Sequence, residues 1–415
     1  MEIKLRDYQI EIAHKATALL WERKIAYLAM ECRTGKTLTA LETARLYGAK
    51  SVLFLTKKKA IPSVEKDYKM LQDVTPLYAM DIVNYESAHK ATGTYDLVIV
   101  DEAHSLGAYP RPSKRTQVVK KLCNGKPIIF LSGTPSPESF SQLYHQFWVS
   151  DYSPFAKWTT FYKWAHEFVD IRQRKVNGYL INDYSRTYKA KVDEYTDPYF
   201  LTYTQAEAGY STNIREHDCV VELGDQVRKF IDKLMHDDIC KVCDGNDVIL
   251  GDTPAKKLTK LHQLSSGTVI TEGGIRLCLD VNKALYIRDH FHGKIAIFYV
   301  YDGEFTLLKK FFPNWTDSPE EFQASTDKTF ICQVHKAREG IRLDSADALI
   351  FYNFEYSYLS YEQGKNRIVS KERTTPADVY FLVSDCGIEK DILKAVRDKK
   401  DFTLHYYHRV HKNEI

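Results

Sequence analysis

Short apolar runs alternate with segments of helical periodicity through the first 150 residues. Small or apolar side chains recur at helical spacing from Ile10 to Leu20, and Leu38–Tyr47 has helical composition up to Gly48. Between such segments lie apolar runs of strand length: Ile25–Met30, Ser51–Thr56, Leu97–Val100 and Pro127–Leu131. Strands that alternate with helices predict a parallel sheet with helices on both of its faces.

The same alternation returns in the last 200 residues. Its strand-length apolar runs are Lys294–Val300, Thr329–Val334, Ala348–Tyr352 and Val379–Val383. They predict a second parallel α/β unit. The predicted fold class is therefore α/β, with two parallel-sheet domains in tandem at residues 1–150 and 217–415.

Residues 151–216 differ from both flanking regions. Trp148, Trp158 and Trp164, three of the five tryptophans, lie in or next to this segment together with many tyrosines. We interpret it as an aromatic-rich insertion or linker with its own small core. The rings can stack on unpaired bases, but core packing is the favoured hypothesis because a small insertion must first be held together.

Composition narrows the class of protein. The chain has 415 residues, of which 44% are hydrophobic and 27% charged, so a sizeable core can form and two or three domains are expected. No apolar run approaches the length of a transmembrane helix, and the N-terminus has no apolar signal-peptide core. Eight cysteines are too few for a disulfide scaffold. We therefore expect a reducing, cytoplasmic location and no membrane partner.

The formal net charge of +3 is unevenly distributed along the chain. Residues 1–150 carry 21 basic and 15 acidic side chains, a balance of +6, whereas residues 216–415 carry 28 and 32, a balance of −4. The basic first part is compatible with nucleic-acid binding. From charge alone, ordinary solvated surface charge is the favoured interpretation.

The segment from Met30 to Thr37, Met-Glu-Cys-Arg-Thr-Gly-Lys-Thr, follows a predicted strand and opens a predicted helix. In a phosphate loop, Gly35 would permit close backbone approach, Lys36 would reach the β- and γ-phosphates, and Thr37 would hold Mg²⁺. Met30 stands where the usual pattern has its first glycine. A chance Gly-Lys-Thr at a helix start is the alternative.

Polar residues also follow two other predicted strands. Asp101-Glu102-Ala103-His104 ends one apolar run, and Ser132-Gly133-Thr134 ends the next. Strand ends gather at one edge of a parallel sheet, so Asp101 can hold Mg²⁺ and Glu102 can orient and deprotonate an attacking water. The hydroxyl residues can link this site to a moving neighbour. The alternatives are helix-capping acids and a plain turn.

These three motifs, in this order, resemble those of superfamily II helicases, whose motor is a pair of RecA-like domains. Other segments are similar to the remaining motifs of that superfamily: Leu5–Gln9, Leu53–Thr56 with Lys57–Lys59, Val83–Glu86, Ile295–Phe298, His335–Ile341 and Gln363–Arg367. The chain most resembles the Swi/Snf-like branch and its compact phage-encoded DEAH-box members. Three segments carry that closer resemblance: Lys260–Leu264, Glu339–Leu343 and Ser345–Asp347.

The resemblance implies ATP and Mg²⁺ as cofactors. It assigns nucleotide contacts to Arg6, Gln9, Arg33, Thr34, Gly35, Lys36, Thr37, Gly340 and Arg367. Mg²⁺ would be held by Thr37 and Asp101, and catalysis would rest on Lys36, Asp101, Glu102 and the arginine finger Arg367. Coupling would involve Ser132, Thr134 and Gln363. DNA contacts would come from Thr56, Lys57, Lys58, Asn84 and Lys336, although a solvated charge run is the alternative for the lysines.

The resemblance implies an ATP-dependent DNA helicase or translocase, hydrolysing ATP at the interface of its two RecA-like domains and acting as a monomer. Duplex translocation or remodelling of forks and branches is favoured over simple unwinding. One departure stands out: Ser370 occupies the place of the family's second motif VI arginine, with Lys371 and Arg373 nearby. The alternative is a nucleotide-gated DNA-binding protein with weak or no hydrolysis. A small-molecule kinase would not explain the second domain.

Two features stand apart from these motifs. Cys240 and Cys243 form a single CxxC without a second close pair, so free thiols are favoured over zinc and no structural metal is predicted. The C-terminal tail, with His405, His408 and His411, is interpreted as exposed and polar. Residues 151–216 are not explained by the motor motifs, and we expect them to set substrate preference.

Overall fold

The computed structural model describes residues 5–72, 78–176, 179–209, 213–242, 245, 247–337, 341–370, 373 and 375–398. The chain forms two compact units, Met1–Tyr210 and Ser211–Ile415. Each unit contains a six-stranded parallel sheet, which confirms the predicted α/β class with two parallel-sheet domains in tandem. No helix in the described ranges is both long and apolar enough to cross a membrane.

The first unit carries seven α-helices in its described residues. They are α1 (Asp7–Arg23), α2 (Lys36–Tyr47), α3 (Ile61–Gln72), α4 (Lys114–Cys123), α5 (Gln142–Trp148), α6 (Phe161–Phe168) and α7 (Lys189–Thr196). Its strands are β1 (Ile25–Met30), β2 (Ser51–Thr56), β3 (Ala79–Asn84), β4 (Leu97–Val100), β5 (Ile128–Leu131), β6 (Arg172–Val176), β7 (Tyr179–Asp183) and β8 (Phe200–Tyr203). The parallel sheet has the order β3-β2-β4-β5-β1-β8, and β6 and β7 form a separate antiparallel pair.

Local sequence explains the main boundaries of this unit. Lys24 ends α1 in the left-handed region with φ 62°, and its N–H donates to the Leu20 carbonyl. Gly35 precedes α2 with φ 84°, and Gly48 ends that helix with φ 80°, conformations that glycine adopts without a Cβ penalty. The four residues of β4 are all fully buried, which is typical of a strand covered on both faces.

Alternate side chains of the first sheet face two separate cores. Ala26 and Leu28 contact one core together with residues of α1 and α2, while Ile25 and Tyr27 contact the other. The second core holds the rings of the segment from 155 to 168. Its buried aromatic members in that segment are Phe155, Trp158, Phe161, Trp164 and Phe168. The rings are therefore buried, as the core-packing hypothesis predicts.

The segment expected to form an insertion is divided between the units. Its described residues up to 209 belong to the first unit, where β8 lies next to β1 as the last strand of the sheet. Ile214 starts an edge strand of the second sheet. The rings do not form a small core of their own, because they pack onto a face of the first sheet and bury more apolar surface there.

The second unit has a parallel sheet of order β15-β16-β14-β17-β18-β9 and two antiparallel pairs, β10–β11 and β12–β13. Its strands are β9 (Ile214–Val221), β10 (Ile239–Val242), β11 (Asp247–Leu250), β12 (Thr268–Ile270), β13 (Arg276–Cys278), β14 (Ile295–Tyr299), β15 (Trp315–Thr316), β16 (Thr329–Gln333), β17 (Ala348–Phe351) and β18 (Ala377–Ser384). Its helices are α8 (Asp225–Asp237), α9 (Pro254–Ser265), α10 (Asn282–His290), α11 (Asp302–Phe311), α12 (Pro319–Ala324), α13 (Val334–Ala337), α14 (Tyr358–Lys365) and α15 (Glu389–Arg397).

A buried polar network lies at the edge where the strands of the second sheet end. The Lys283 ammonium donates to both carboxylate oxygens of Glu389 at 2.7 Å and to two backbone carbonyls, those of Tyr352 and Leu382. Glu304 accepts from the Asn353 amide at 2.6 Å and from two backbone N–H groups that follow β14. These buried charges are paired or hydrogen-bonded, as such groups must be to offset desolvation.

Candidate nucleotide site

The strand ends of the first sheet place the predicted motifs side by side. Along that edge, Asn84 ends β3, Thr56 ends β2, Asp101 follows β4, Ser132 follows β5, and the loop of residues 31–35 follows β1. Strand β5, which precedes Ser132, lies between the strand of the loop and the strand of Asp101. The parallel arrangement thus brings five of the sequence motifs to one edge, where the strand ends of a parallel sheet gather.

The loop of residues 31–35 is ordered by its own hydrogen bonds. The Thr34 hydroxyl donates to the Glu31 carbonyl at 2.8 Å, and Arg33 has φ 65°, a conformation that costs a non-glycine residue about 1–2 kcal/mol. The Lys36 ammonium donates to the carbonyls of Met30 and Glu31 at 2.8 and 3.0 Å. Lys36 therefore lies against the loop, and partly exposed Thr37 lies in the first turn of α2.

Gln9 contacts this loop from α1. Its side-chain oxygen accepts from the Arg6 backbone N–H at 2.9 Å, and its amide nitrogen lies 3.5 Å from the Gly35 carbonyl. A Cβ at Gly35 would sit 2.0 Å from that nitrogen, and φ 84° favours glycine at this position. The exposed Arg6 donates from its guanidinium to the Tyr8 hydroxyl at 3.0 Å.

Asp101 lies at the centre of the edge. One carboxylate oxygen accepts from the Thr56 hydroxyl at 2.7 Å, and the other accepts from the Glu102 N–H at 2.9 Å. Burial and the Glu102 charge raise the pKa of Asp101 to about 6, while the Thr56 hydrogen bond and the Lys36 ammonium lower it. A cation bound next to Asp101 would lower this pKa and so favour the ionised carboxylate.

Glu102 and His104 belong to the same cluster. Glu102 has φ 50°, a left-handed conformation rare for a non-glycine residue, which places it at the start of the short helix Ala103–Leu106. Its carboxylate lies 3.3 Å from His104 Nδ1, and the same nitrogen lies 3.0 Å from the Ser132 hydroxyl. His104 therefore joins the acidic motif to the Ser-Gly-Thr motif.

The Ser132–Thr134 turn approaches Lys36. A Cβ at Gly133 would sit 3.6 Å from the Lys36 ammonium nitrogen and 3.5 Å from Cys32 Sγ. The Thr134 N–H donates to the Ser132 hydroxyl at 3.1 Å, whereas the buried Thr134 hydroxyl has no hydrogen-bond partner in the described part of the chain. A buried hydroxyl without a partner is costly unless something else satisfies it.

These donors and acceptors fit a nucleotide with Mg²⁺. A phosphate needs backbone N–H groups at a helix start, a mobile ammonium and spare hydroxyl donors, and residues 35–37 with Thr134 supply them. Mg²⁺ needs oxygen ligands, for which Thr37 and Asp101 qualify.

The predicted DNA-contact residues of the first unit separate into two groups. Lys58 is exposed in the short helix Lys58–Ala60, and Lys57 and Asn84 are half-buried. Asn84 accepts the Ser87 N–H at 2.9 Å, which closes a turn. Thr56 is fully buried and its hydroxyl is bound to Asp101, so that side chain acts within the Asp101 cluster instead of at the surface.

The second unit contains four of the predicted site residues: Lys336, Gly340, Gln363 and Arg367. Gln363 and Arg367 are both buried, and the Gln363 side-chain oxygen has no hydrogen-bond partner among the described residues. Arg367 follows α14, and its carbonyl accepts from the Leu343 N–H at 2.9 Å. Lys336 is exposed on α13, while Gly340 lies outside the described residues.

Arg373 is bound to backbone carbonyls of its own unit. Its guanidinium donates to the carbonyls of Asp344, Ala346, Thr375 and Pro376 at 2.6–3.3 Å. Its pKa is lowered by burial. Ser370 accepts from the Arg373 N–H at 3.2 Å. Arg373 is therefore committed to holding the loop together, and Lys371 lies outside the described residues.

Several residues at the site had no role in the sequence prediction. Tyr8 donates its hydroxyl to the Thr34 carbonyl at 2.9 Å and stacks on Tyr203 with ring centroids 4.4 Å apart. Tyr85 donates to the Asp101 carbonyl. Tyr8, Tyr85 and His104 lie inside motifs that the sequence does show, but their contacts are long-range. Nothing in the local sequence around Tyr203 indicated a contact with the loop.

Cys240 and Cys243 are the pair of residues that the sequence analysis considered as a zinc site. Cys240 is buried and its thiol donates to the Phe230 carbonyl at 3.4 Å, while Cys243 lies outside the described residues. Within the described ranges, no group of three or more His, Cys, Asp or Glu side chains is placed to hold a metal ion.

Comparison with known proteins adds a family similarity for the first part of the chain. Residues 2–86 match the family described as type III restriction enzyme, res subunit (ResIII), a span that includes α1, the phosphate loop and Asn84. The match is confined to the first part of the first unit. No curated protein matches the chain significantly.

Solved structures give a more distant similarity. One that is similar to the chain is the Sulfolobus solfataricus SWI2/SNF2 ATPase core in complex with dsDNA. It shares 15% sequence identity over 96% of this chain and 92% of that chain, with a TM-score of 0.44. At that identity and TM-score the similarity carries no information on function.

Proposed function

We propose that this protein is an ATP- and Mg²⁺-dependent motor that acts on DNA. The observation that carries the proposal is the convergence of the loop of residues 31–35, Asp101, Glu102 and the Ser132–Thr134 turn at one sheet edge. Gly133 approaches the Lys36 ammonium, so the third motif borders the phosphate-binding group.

Each residue has a distinct part in the proposed hydrolysis. Lys36 would exchange the carbonyls of Met30 and Glu31 for phosphate oxygens, and Thr37 and Asp101 would hold Mg²⁺, which neutralises phosphate charge when bound. Glu102 would orient the attacking water and take its proton. The Thr134 hydroxyl would donate to the same phosphate region and so gain the partner it lacks.

We further propose that Gln363 and Arg367 of the second unit complete the reaction. An arginine supplied to a developing phosphoryl charge contributes about 10³–10⁵ in rate in related systems. Lys57, Lys58, Asn84 and Lys336 would contact DNA phosphates, which makes binding insensitive to sequence and sensitive to salt. We do not include Thr56 among these DNA contacts, because it is buried and its hydroxyl donates to Asp101.

ATP turnover measured with different nucleic acids tests the proposal. We expect turnover stimulated by DNA, and loss of that turnover in Lys36→Ala. Lys163→Ala is the matched control, since Lys163 is an exposed lysine on α6, outside all of the predicted motifs. Turnover no higher in the wild-type chain than in Lys36→Ala would refute the proposal.

Separate assays distinguish translocation along duplex DNA from strand separation. A triplex-displacement assay detects tracking along duplex DNA, and a forked-duplex assay detects strand separation. We expect displacement of the third strand, because duplex translocation is the proposed mode. Comparing single-stranded, duplex, forked and branched DNA with RNA then identifies the preferred substrate.

One observation favours a second candidate, a nucleotide-gated DNA-binding protein with weak hydrolysis. Arg373 cannot replace the missing second arginine while its guanidinium is bound to four carbonyls. Filter binding with ATP and with a non-hydrolysable analogue separates the two candidates. Equal and durable DNA binding with both nucleotides, without turnover, would support the gated binder.

A further inference from the structure

The chain leaves the first sheet beside the phosphate loop. Strand β8 pairs in parallel with β1, and Met30 is opposite Tyr203 in the register. The ladder extends one residue further, because the Glu31 N–H donates to the Tyr203 carbonyl at 2.9 Å. The segment after β8, which leads along the chain to β9, therefore starts where the loop starts.

Gln205 binds the loop through two separate groups. Its side-chain amide donates to the Cys32 carbonyl at 2.9 Å, and its backbone N–H donates to a Glu31 carboxylate oxygen at 2.7 Å. Tyr203 adds a third link, since it stacks on Tyr8, whose hydroxyl donates to the Thr34 carbonyl. The loop is thus held along one side by residues that follow or end β8.

The Glu31 contact matters because of charge. Glu31 is an exposed acid in a loop proposed to receive a polyanion, so a freely rotating carboxylate there would repel phosphate. The hydrogen bond from the Gln205 N–H restricts the rotation of this carboxylate and holds it beside Gln205. Thr204 closes the adjacent turn separately, with both its N–H and its hydroxyl donating to Glu207.

We propose that Gln205 is a positioning residue of the nucleotide site, which fixes the loop at Glu31 and Cys32 and links nucleotide binding to the segment 203–209. This inference rests on the proposed function, since it requires that the loop binds a nucleotide. Binding that orders the loop then also orders residues 203–209, because the two segments share hydrogen bonds.

The test combines nucleotide affinity with local hydrogen exchange. The probe is methylanthraniloyl-ATP with Mg²⁺, added to the wild-type chain and to Gln205→Ala. We expect affinity to fall about 3- to 10-fold on loss of one hydrogen bond to the loop. In the wild type, nucleotide should slow amide exchange in both residues 37–47 and residues 203–209. In Gln205→Ala, residues 37–47 should still respond, whereas the response of residues 203–209 should be weaker than in the wild type, because the links through the backbone N–H of residue 205 and through Tyr203 remain but the side-chain link is lost; a purely structural role would not weaken one segment's response selectively.

Two further variants keep the test decisive. Glu31→Ala removes the carboxylate that accepts from the Gln205 N–H, at an exposed position, and it should also weaken the response of residues 203–209 to nucleotide. Thr204→Val is the matched control, because it disturbs the turn to Glu207 and leaves both links to the loop; it should keep the coupling. A wild-type chain that does not bind the probe would refute the proposed function and this inference with it. Normal binding with unchanged coupling in Gln205→Ala and Glu31→Ala would overturn this inference alone.

Discussion

In the first unit the strand ends carry polar side chains that are partly exposed or lack a partner, whereas the strand ends of the second unit are closed by a buried polar network. Asp101 and Lys36 contact their own backbone and nearby hydroxyls, and the Thr134 hydroxyl has no partner among the described residues. Lys283 and Glu389 instead satisfy each other and the surrounding carbonyls.

The difference shows how one sheet architecture can serve two purposes. A polar edge whose groups satisfy one another stabilises the fold and leaves little for a ligand. An edge whose ammonium is held only by backbone carbonyls, and whose Thr134 hydroxyl has no partner among the described residues, has capacity for charged ligands. The first edge is therefore the candidate reaction site, and the second is scaffold.

Breaking the network of the second unit should have the largest effect. We expect Lys283→Met to lower the free energy of unfolding of that unit by about 3–5 kcal/mol, because the Glu389 carboxylate stays buried without its partner. Urea dependence of hydrogen exchange in the second sheet measures this. Arg276→Met is the control: its pair with Asp302 is exposed, and the loss should stay below about 1 kcal/mol. Equal effects of the two substitutions would contradict the buried-scaffold interpretation.

The two units should respond alike to acid. Burial lowers the pKa of His145 to about 4 in the first unit and that of His262 to about 3 in the second. The unfolded chain protonates these groups near pH 6.5, so stability is lost as pH falls below 6.5, by at most about 1.4 kcal/mol per pH unit for each histidine.

Unfolding midpoints in urea between pH 7.5 and 5 test this pH dependence. His145→Gln should flatten it in the first unit only, and His262→Gln in the second only. Midpoints that are independent of pH in the wild-type chain would show that neither buried histidine contributes.

The substitution Thr134→Val tests whether the Thr134 hydroxyl, at the strand ends of the first unit, binds the nucleotide. Removing a hydroxyl that has no partner in the described part of the protein should leave stability nearly unchanged, while turnover should fall about 10- to 100-fold if the hydroxyl donates to a charged phosphate. Steady-state ATP turnover and urea unfolding measure the two effects. Thr196→Val is the opposite control, since its hydroxyl bonds to the Val192 carbonyl in α7: it should lose stability and keep turnover. A stability loss without a turnover loss in Thr134→Val would place Thr134 in the scaffold.

Thr56→Val should produce the smallest change, a shift in pH dependence. The Thr56 hydroxyl lowers the pKa of Asp101, so its removal raises that pKa above about 6. In the proposed function Asp101 holds Mg²⁺ and must be ionised to do so, so the acid limb of turnover should move up by as much as about 1 pH unit at subsaturating Mg²⁺. Thr43→Val, which removes a buried hydroxyl bond inside α2, should leave the limb in place. An unmoved limb in Thr56→Val would show that Asp101 does not govern it.

Much of the architecture was predictable because it depends on local patterns. The runs Ile25–Met30 and Leu97–Val100 became buried strands, and Gly35 precedes α2 as expected for a phosphate loop. Parallel strands end at a common edge, so placing Asp101 and Ser132 near Lys36 needed only the strand assignments. The segment 151–216 was predicted less well, because its rings have no local preference for a core of their own.

The sequence by itself determined the two α/β units and the motifs at the strand ends, since periodicity and turn residues act over a few neighbours. Only the tertiary structure decided which distant groups meet. It joined β8 to β1, buried the rings around Trp164 against the first sheet, bound Thr56 to Asp101 and committed Arg373 to backbone carbonyls. Those contacts depend on strand order and on the partners available for each buried polar group, and neither is encoded in the local pattern around one residue.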